Sequence, residues 1–241
     1  MIFRKNETPQ SPWIPRIVIG TAVTLLATSA LALSNLVKDH QMNLAQLKNL
    51  AARSQSKTDV PIVVNQEVLA SLNRAVGSPR ARFYFRKSLE RMKTYENMIK
   101  LQLKENRLPE VLMAVPLIES GYQNMDNKIS AGIWQIIPET ARVLGLIVDD
   151  KVDERFQPEK ATQAALKYMI KNQTEFQDWH LALLAYNSGE RALREAIENA
   201  GHRNAFQLLR EGYLSPENRK YLPNVMAGIL IYLNPELTRE P

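Results

Sequence analysis

Along most of the chain apolar residues return every third or fourth position with charged residues between them, the pattern of helices that bury one face. Leu44, Leu47, Leu50 and Ala51 begin the series, and the mostly polar stretch from Ser54 to Pro61 reads as a linker. Val68, Leu69, Leu72 and Val76 mark a second helix closed by Gly77-Ser78-Pro79. Phe85, Leu89, Met92, Tyr95, Ile99 and Leu103 step along a long amphipathic helix. Prolines then punctuate the chain. Pro109, Pro138 and Pro158 each stand where a helix can open, because its first turn has no use for the N–H that proline lacks. The helix after Pro109 is expected to end at Gly121, Asp178 to cap one ending near Gly189, and Gly201 to close the next. Ser215-Pro216-Glu217 opens the last helix, in which Pro223 predicts a kink or a break. Alternating β-type runs are absent, the short stretch 60–64 being the one β-branched cluster. The expected fold class is therefore all-α.

One segment departs from this pattern. Residues 17–33 (IVIGTAVTLLATSALAL) carry no charge and follow Arg4, Lys5 and Arg16. A basic flank before an apolar run predicts a signal peptide or a single membrane anchor. Ala30-Leu31-Ala32 offers a cleavage site, and no cysteine follows that could carry a lipid. The remainder is expected to work outside the cytoplasm. Three parts result: residues 1–33 for export or anchoring, residues 34–84 as a helical neck of unknown role, and residues 85–241 as the main domain.

Composition narrows the chemistry. The 241 residues include no cysteine, which excludes disulfide scaffolds, thiolate catalysis and cysteine-ligated metal sites. Lys and Arg number 31 against 25 Asp and Glu, a net charge of +6. Spread without a cluster, that charge does not argue for nucleic acid. His40, His180 and His202 are scattered, so neither a metal site nor another cofactor is expected. No phosphate-cradling glycine loop and no G-x-S-x-G elbow is present.

The candidate chemistry centres on Glu119. Leu112, Val115 and Glu119 follow i, i+3, i+7, so this carboxylate lies on an apolar stripe at the C-terminal end of its helix. Desolvation and the negative end of the helix dipole both disfavour its charge, predicting the raised pKa of a general acid. Soon after come Gly132, Trp134 and Gln135: a residue permitting close approach, a flat aromatic face and an amide. Tyr186 and Asn187 place a phenol and a second amide at a later helix end. Such a set suits a sugar, whose ring faces are apolar and whose edges are hydroxyls. Taken singly, Trp134 also reads as a core anchor, and Tyr186 and Asn187 as a helix terminus.

Taken together and in order, the set is diagnostic. Glu119-Ser120, then Gly132-x-Trp134-Gln135-x-x-Pro138 with Thr140 and Ala141, then Ala185-Tyr186-Asn187-Ser188-Gly189 resembles the family 1 lytic transglycosylases. These are peptidoglycan-cleaving enzymes with a goose-type-lysozyme-like fold. The resemblance continues through Asp153-Glu154-Arg155-Phe156-x-Pro158, Trp179 and Tyr221-Leu222-Pro223, and is closest to the membrane-bound D-type branch. It implies that Glu119 is the catalytic acid/base and that Ser120 orients the glycan or the loop. Gln135 would bind the sugar near the cleaved bond, Tyr186 would sit beside the carboxylate, Asn187 would support the pocket wall, and Tyr221 would line the groove. The segment between Glu119 and Gly132 is about two residues shorter than the family's usual form.

Ordinary glycoside hydrolysis needs two carboxylates. Asp126, Glu139, Asp149 and Asp150 lack a matching context. In the family one glutamate serves as acid and then as base, activating the C6 hydroxyl of N-acetylmuramic acid to give a 1,6-anhydro end. The expected activity is thus a peptidoglycan lytic transglycosylase on the periplasmic side of the envelope, a monomer acting on glycan strands and touching the membrane through residues 17–33 if these are retained. A hydrolytic muramidase of the same fold and a non-catalytic glycan-binding assembly protein are the alternatives.

Overall fold

Capping side chains and prolines set the helix boundaries in the computed structural model, which describes residues 41–240; the expected export segment lies outside the described residues, as does His40. Helix α1 (Leu44–Gln55) starts under a capping box in which the Asn43 carbonyl oxygen of the side chain accepts the Gln46 N–H and the Gln46 side chain accepts the Asn43 N–H. Asn65 caps α2 (Gln66–Val76), and Ser78 caps α3 (Pro79–Glu105), with Pro79 at its first turn. After a 3-10 turn at Glu110–Met113 comes the short α4 (Ala114–Glu119). Pro138 opens α5 (Pro138–Val143) and Pro158 opens α6 (Pro158–Phe176), both as expected. Asp178 accepts the Leu181 N–H at 2.9 Å to cap α7 (Trp179–Ser188), and α8 (Glu190–Ala200) ends on a left-handed Gly201. Helices α9 (Ala205–Glu211) and α10 (Tyr221–Leu233) complete the set. Among the described residues no strand forms. Three isolated bridges, Asp126–Ala131, Ala131–Ile136 and Val148–Asp153, shape the loops between α4 and α6.

The two internal prolines behave alike. Neither Pro116 nor Pro223 kinks a helix, because each is the third residue of its own, where an N–H has no intrahelical acceptor. The chain breaks before them instead. One helix from Pro109 to Gly121 is therefore replaced by a 3-10 turn and the six residues of α4. The helix expected from Ser215 likewise begins only at Tyr221, after a 3-10 turn at Asn218–Lys220.

Helix α10 is buried from Tyr221 to Ile231 on all but its Asn224 side and forms the central rod, against which α2, α4 and α7 pack. Gly228 lets α4 approach it: a Cβ there would lie 2.8 Å from the Ile118 side chain. The expected neck belongs to this core. Leu47, Val60, Val68 and Leu72 are fully buried in the same cluster as Leu112 and Val225, and Asn234 donates to Ser54 Oγ at 2.9 Å in the interior. The stretch read as a linker is held by Gln55, whose amide bonds Thr58, Val60 and Ile62 backbone groups. A boundary between residues 84 and 85 would fall inside α3.

Candidate active site

The end of α4 is locked from every direction. Its body, Ala114–Leu117, is buried, and the turn after Glu119 is tied back to it by Ser120 N–H and Tyr122 N–H, both donating to the Pro116 carbonyl. Tyr122, fully buried and stacked on Tyr95, donates to Met113 O at 2.7 Å. Arg91 reaches across from α3 to the Gly121 carbonyl at 2.7 Å. Helix, turn and long helix thus hold one carboxylate in place.

Glu119 keeps an accessible edge on a cleft of about 670 Å³, whose walls come from the loop 127–137, α5, α6, the end of α7 and the segment before α10. Otherwise protein surrounds it. No cation pairs with it among the described residues, so burial dominates and raises its pKa to about 7. The buried Tyr221 phenol lies beside it and works in the opposite direction. Its oxygen has no other partner in good hydrogen-bond geometry. The Tyr186 and Tyr221 hydroxyls are themselves pushed well above the usual phenol range, by burial first and the Glu119 charge second.

The remaining expected site residues divide into those that face the cleft and those that build it. Tyr186 and Asn187 line it, Tyr186 donating to the Trp134 carbonyl at 2.9 Å and Asn187 accepting from Asn218 at 2.8 Å. Gln135 also lines it, yet its amide is engaged at both ends. The nitrogen donates to Gly132 O at 2.7 Å and Met125 O at 3.1 Å, while the oxygen accepts from Asn127 and Ser130. It fastens the loop that carries it. Ser120 is buried and donates to Ile133 O at 2.8 Å, joining the turn after Glu119 to that loop.

Trp134 corrects the expectation of a sugar-stacking face. Its exposure is 0%, and its indole nitrogen donates to Thr162 Oγ1 at 2.8 Å, so the ring anchors the core and only its carbonyl serves the site, through Tyr186. Gly132 is also structural. With φ of +79° it passes so close to Arg155 that a Cβ would lie 2.0 Å from that residue's carbonyl oxygen.

Tyr168 and Glu217 stand out among the lining residues outside the expected set. Tyr168 projects from α6, tilted against Tyr186 at 5.7 Å, and donates to Glu190 at 2.5 Å. A tyrosine on a face otherwise made of Ala161, Ala164 and Ala165 was the signal available in the sequence. Glu217 stands exposed at the rim, its pKa lowered by a hydrogen bond from Ser215. Nothing local distinguishes it from a surface glutamate.

Residues 96–209, which include Glu119 and most of the cleft, match the family described as Transglycosylase SLT domain. That stretch is similar to transglycosylase SLT domains. It is 34% identical over 140 residues to the membrane-bound lytic murein transglycosylase D of two Escherichia coli strains, covering 57% of this chain and 31% of the relative. It is also 31% identical over 112 residues to a protein named for tributyltin chloride resistance in an Alteromonas species, covering 45% of this chain and 54% of that one. The chain spans about a third of the length of the Escherichia coli relatives it matches. The matched residues hold Glu119, Gln135, Tyr168 and Tyr186, whereas Tyr221 and α1 to most of α3 lie beyond them.

Proposed function

We propose that this chain is a peptidoglycan lytic transglycosylase that cleaves the bond from N-acetylmuramic acid to N-acetylglucosamine and leaves 1,6-anhydro ends. The observation that carries the reading is a single carboxylic acid, buried without a cation, whose pKa of about 7 keeps it half protonated near neutrality. Glu119 gives its proton to the glycosidic oxygen as that bond breaks. The carboxylate left behind then takes the proton of the C6 hydroxyl while its oxygen closes on C1, which returns the acid to its starting state without consuming water. Tyr221, whose hydroxyl has no other partner, donates to the carboxylate during its charged interval. Asn187 and Tyr186 flank the sugar, and Gln135, Ser120 and Gly132 hold the loop that forms one wall. The kinship to lytic murein transglycosylase D supports this substrate and a place in the cell envelope, with residues 17–33 as export segment or anchor.

Glu217 at the rim favours a second reading, a hydrolytic muramidase in which a carboxylate activates water. One experiment separates the two. Mass spectra of digested glycan strands should show ends one water lighter than reducing ends, and reducing ends alone would refute the transglycosylase reading. Glu119→Gln should abolish either product while strands still bind.

A further inference from the structure

A second recess, of about 190 Å³, opens behind the acid between α2, α3, α4 and α10. Leu117 and Ile118, the two residues before Glu119, form its inner wall, so the end of α4 is a partition between the two cavities. Along α10, Tyr221 faces Glu119 and Asn224, three residues on, lines the recess. The recess and the cleft thus meet the end of α4 from opposite sides.

Its chemistry differs from that of the cleft. Tyr84 and Phe85, packed edge to face at 5.4 Å, supply an aromatic wall, and Tyr84 also reaches the turn at Gly121. Opposite them is the exposed Arg74. One nitrogen of its guanidinium donates to Ser71 Oγ at 2.7 Å and to Asn224 Oδ1 at 3.4 Å, which aims the group. Its other nitrogens have no partner among the described residues, and it forms no ion pair with them. A held guanidinium with an open edge fits a planar carboxylate. Arg74, Tyr84 and Asn224 all lie outside the matched SLT residues.

We propose that this recess is a substrate subsite across the reacting bond from the main cleft, in which Arg74 pairs with a carboxylate borne by the muramic acid side branch. The proposal rests on the reading of Glu119 given above. A murein strand presents that carboxylate either on its stem peptide or, where the peptide has been removed, on the lactyl ether itself.

The test uses Glu119→Gln as a binding form that does not turn over. Its affinity is measured with and without Arg74→Ala for peptide-bearing strands, for amidase-treated strands and for a neutral chitooligosaccharide. A partly exposed charge pair predicts about fivefold weaker binding of a carboxylate-bearing strand, with the neutral ligand unaffected and Arg74→Lys recovering part of the loss. Loss confined to peptide-bearing strands identifies the stem peptide, and loss confined to amidase-treated strands identifies the lactyl group. Unchanged affinity for both charged strands overturns the proposal, as does an equal loss for all three ligands, which would mark a scaffold role. Wild-type protein that releases no anhydro ends would overturn the reading of Glu119, whereas an active enzyme indifferent to Arg74→Ala overturns the subsite alone.

Discussion

Two glutamates at helix ends near the cleft, Glu119 and Glu190, are both pushed upward by burial, Glu119 far more deeply buried, and arrive at opposite results. Glu119 is the last residue of α4, at the negative end of the helix, and only the Tyr221 phenol works against its desolvation. Glu190 is the first residue of α8, at the positive end. Lys171 and Tyr168 both donate to it and bring its pKa down to about 2 despite burial. Deep burial without a cation at Glu119, and two donors at the less buried Glu190, decide which carboxyl can deliver a proton at neutral pH and which serves as a fixed anion. Tyr168 links the two regions, bonded to Glu190 while its ring leans on Tyr186 beside Glu119.

The strongest way to break this contrast is to remove each carboxyl in turn. Glu119→Gln should lower turnover of murein strands by about a thousandfold, the scale of a lost general acid, while Glu190→Gln stays within about tenfold of wild type. Comparable losses in both would end the assignment of Glu119 as the acid.

The next effect is on stability. Because the folded protein holds the Glu119 proton up to about pH 7 and the unfolded chain releases it near the ordinary 4.5, this residue favours folding below pH 4.5 and loses that advantage as the pH rises to 7. At pH 8 the buried charge costs roughly 3 kcal/mol. Denaturant titration should find Glu119→Gln more stable than wild type by up to that amount at pH 8 and equal to it at pH 4. The same difference at both pH values would mean that packing, not charge, is responsible.

Tyr221→Phe removes the one group that lowers the acid's pKa. The alkaline limb of kcat/KM should therefore move above pH 7, with a modest fall in the maximum; movement to lower pH would contradict the placement of the phenol. The smallest effect belongs to Lys171→Met. Lys171 is half exposed, so its bond with Glu190 contributes about 0.5 kcal/mol at pH 7. Glu190's depressed pKa places that contribution above pH 4.5 and removes it as the pH falls toward 2, so melts of the variant and wild type should converge in acid.

Much of this was readable along the chain. Asp178, Gly189, Gly201, Pro138 and Pro158 mark real helix ends, because caps and first-turn prolines act within four residues of themselves. Val115, one turn before Glu119 on α4, was equally local, whereas Leu112 falls in the separate 3-10 turn. Where the reading failed, the missing information was distant. Trp134 looked like an open ring because nothing nearby reveals that Thr162 and the core enclose it. Gln135 looked free for a sugar because its acceptors arrive only when the loop closes on Met125 and Gly132. Residues 54–61 looked like a linker because nothing local reveals that their polar groups are satisfied by one another and by Gln55, while Val60 turns inward.

By itself the sequence determined the helical class, most helix ends and the ordered motif that singles out Glu119, since each depends on spacings of a few residues. Only the tertiary structure decided that the N-terminal helices share the core, that Trp134 is an anchor, and that Glu119 and Glu190 differ in charge at pH 7. Desolvation and pairing are sums over atoms brought together from α4, α6, α8 and α10, and no window of neighbouring residues contains that sum.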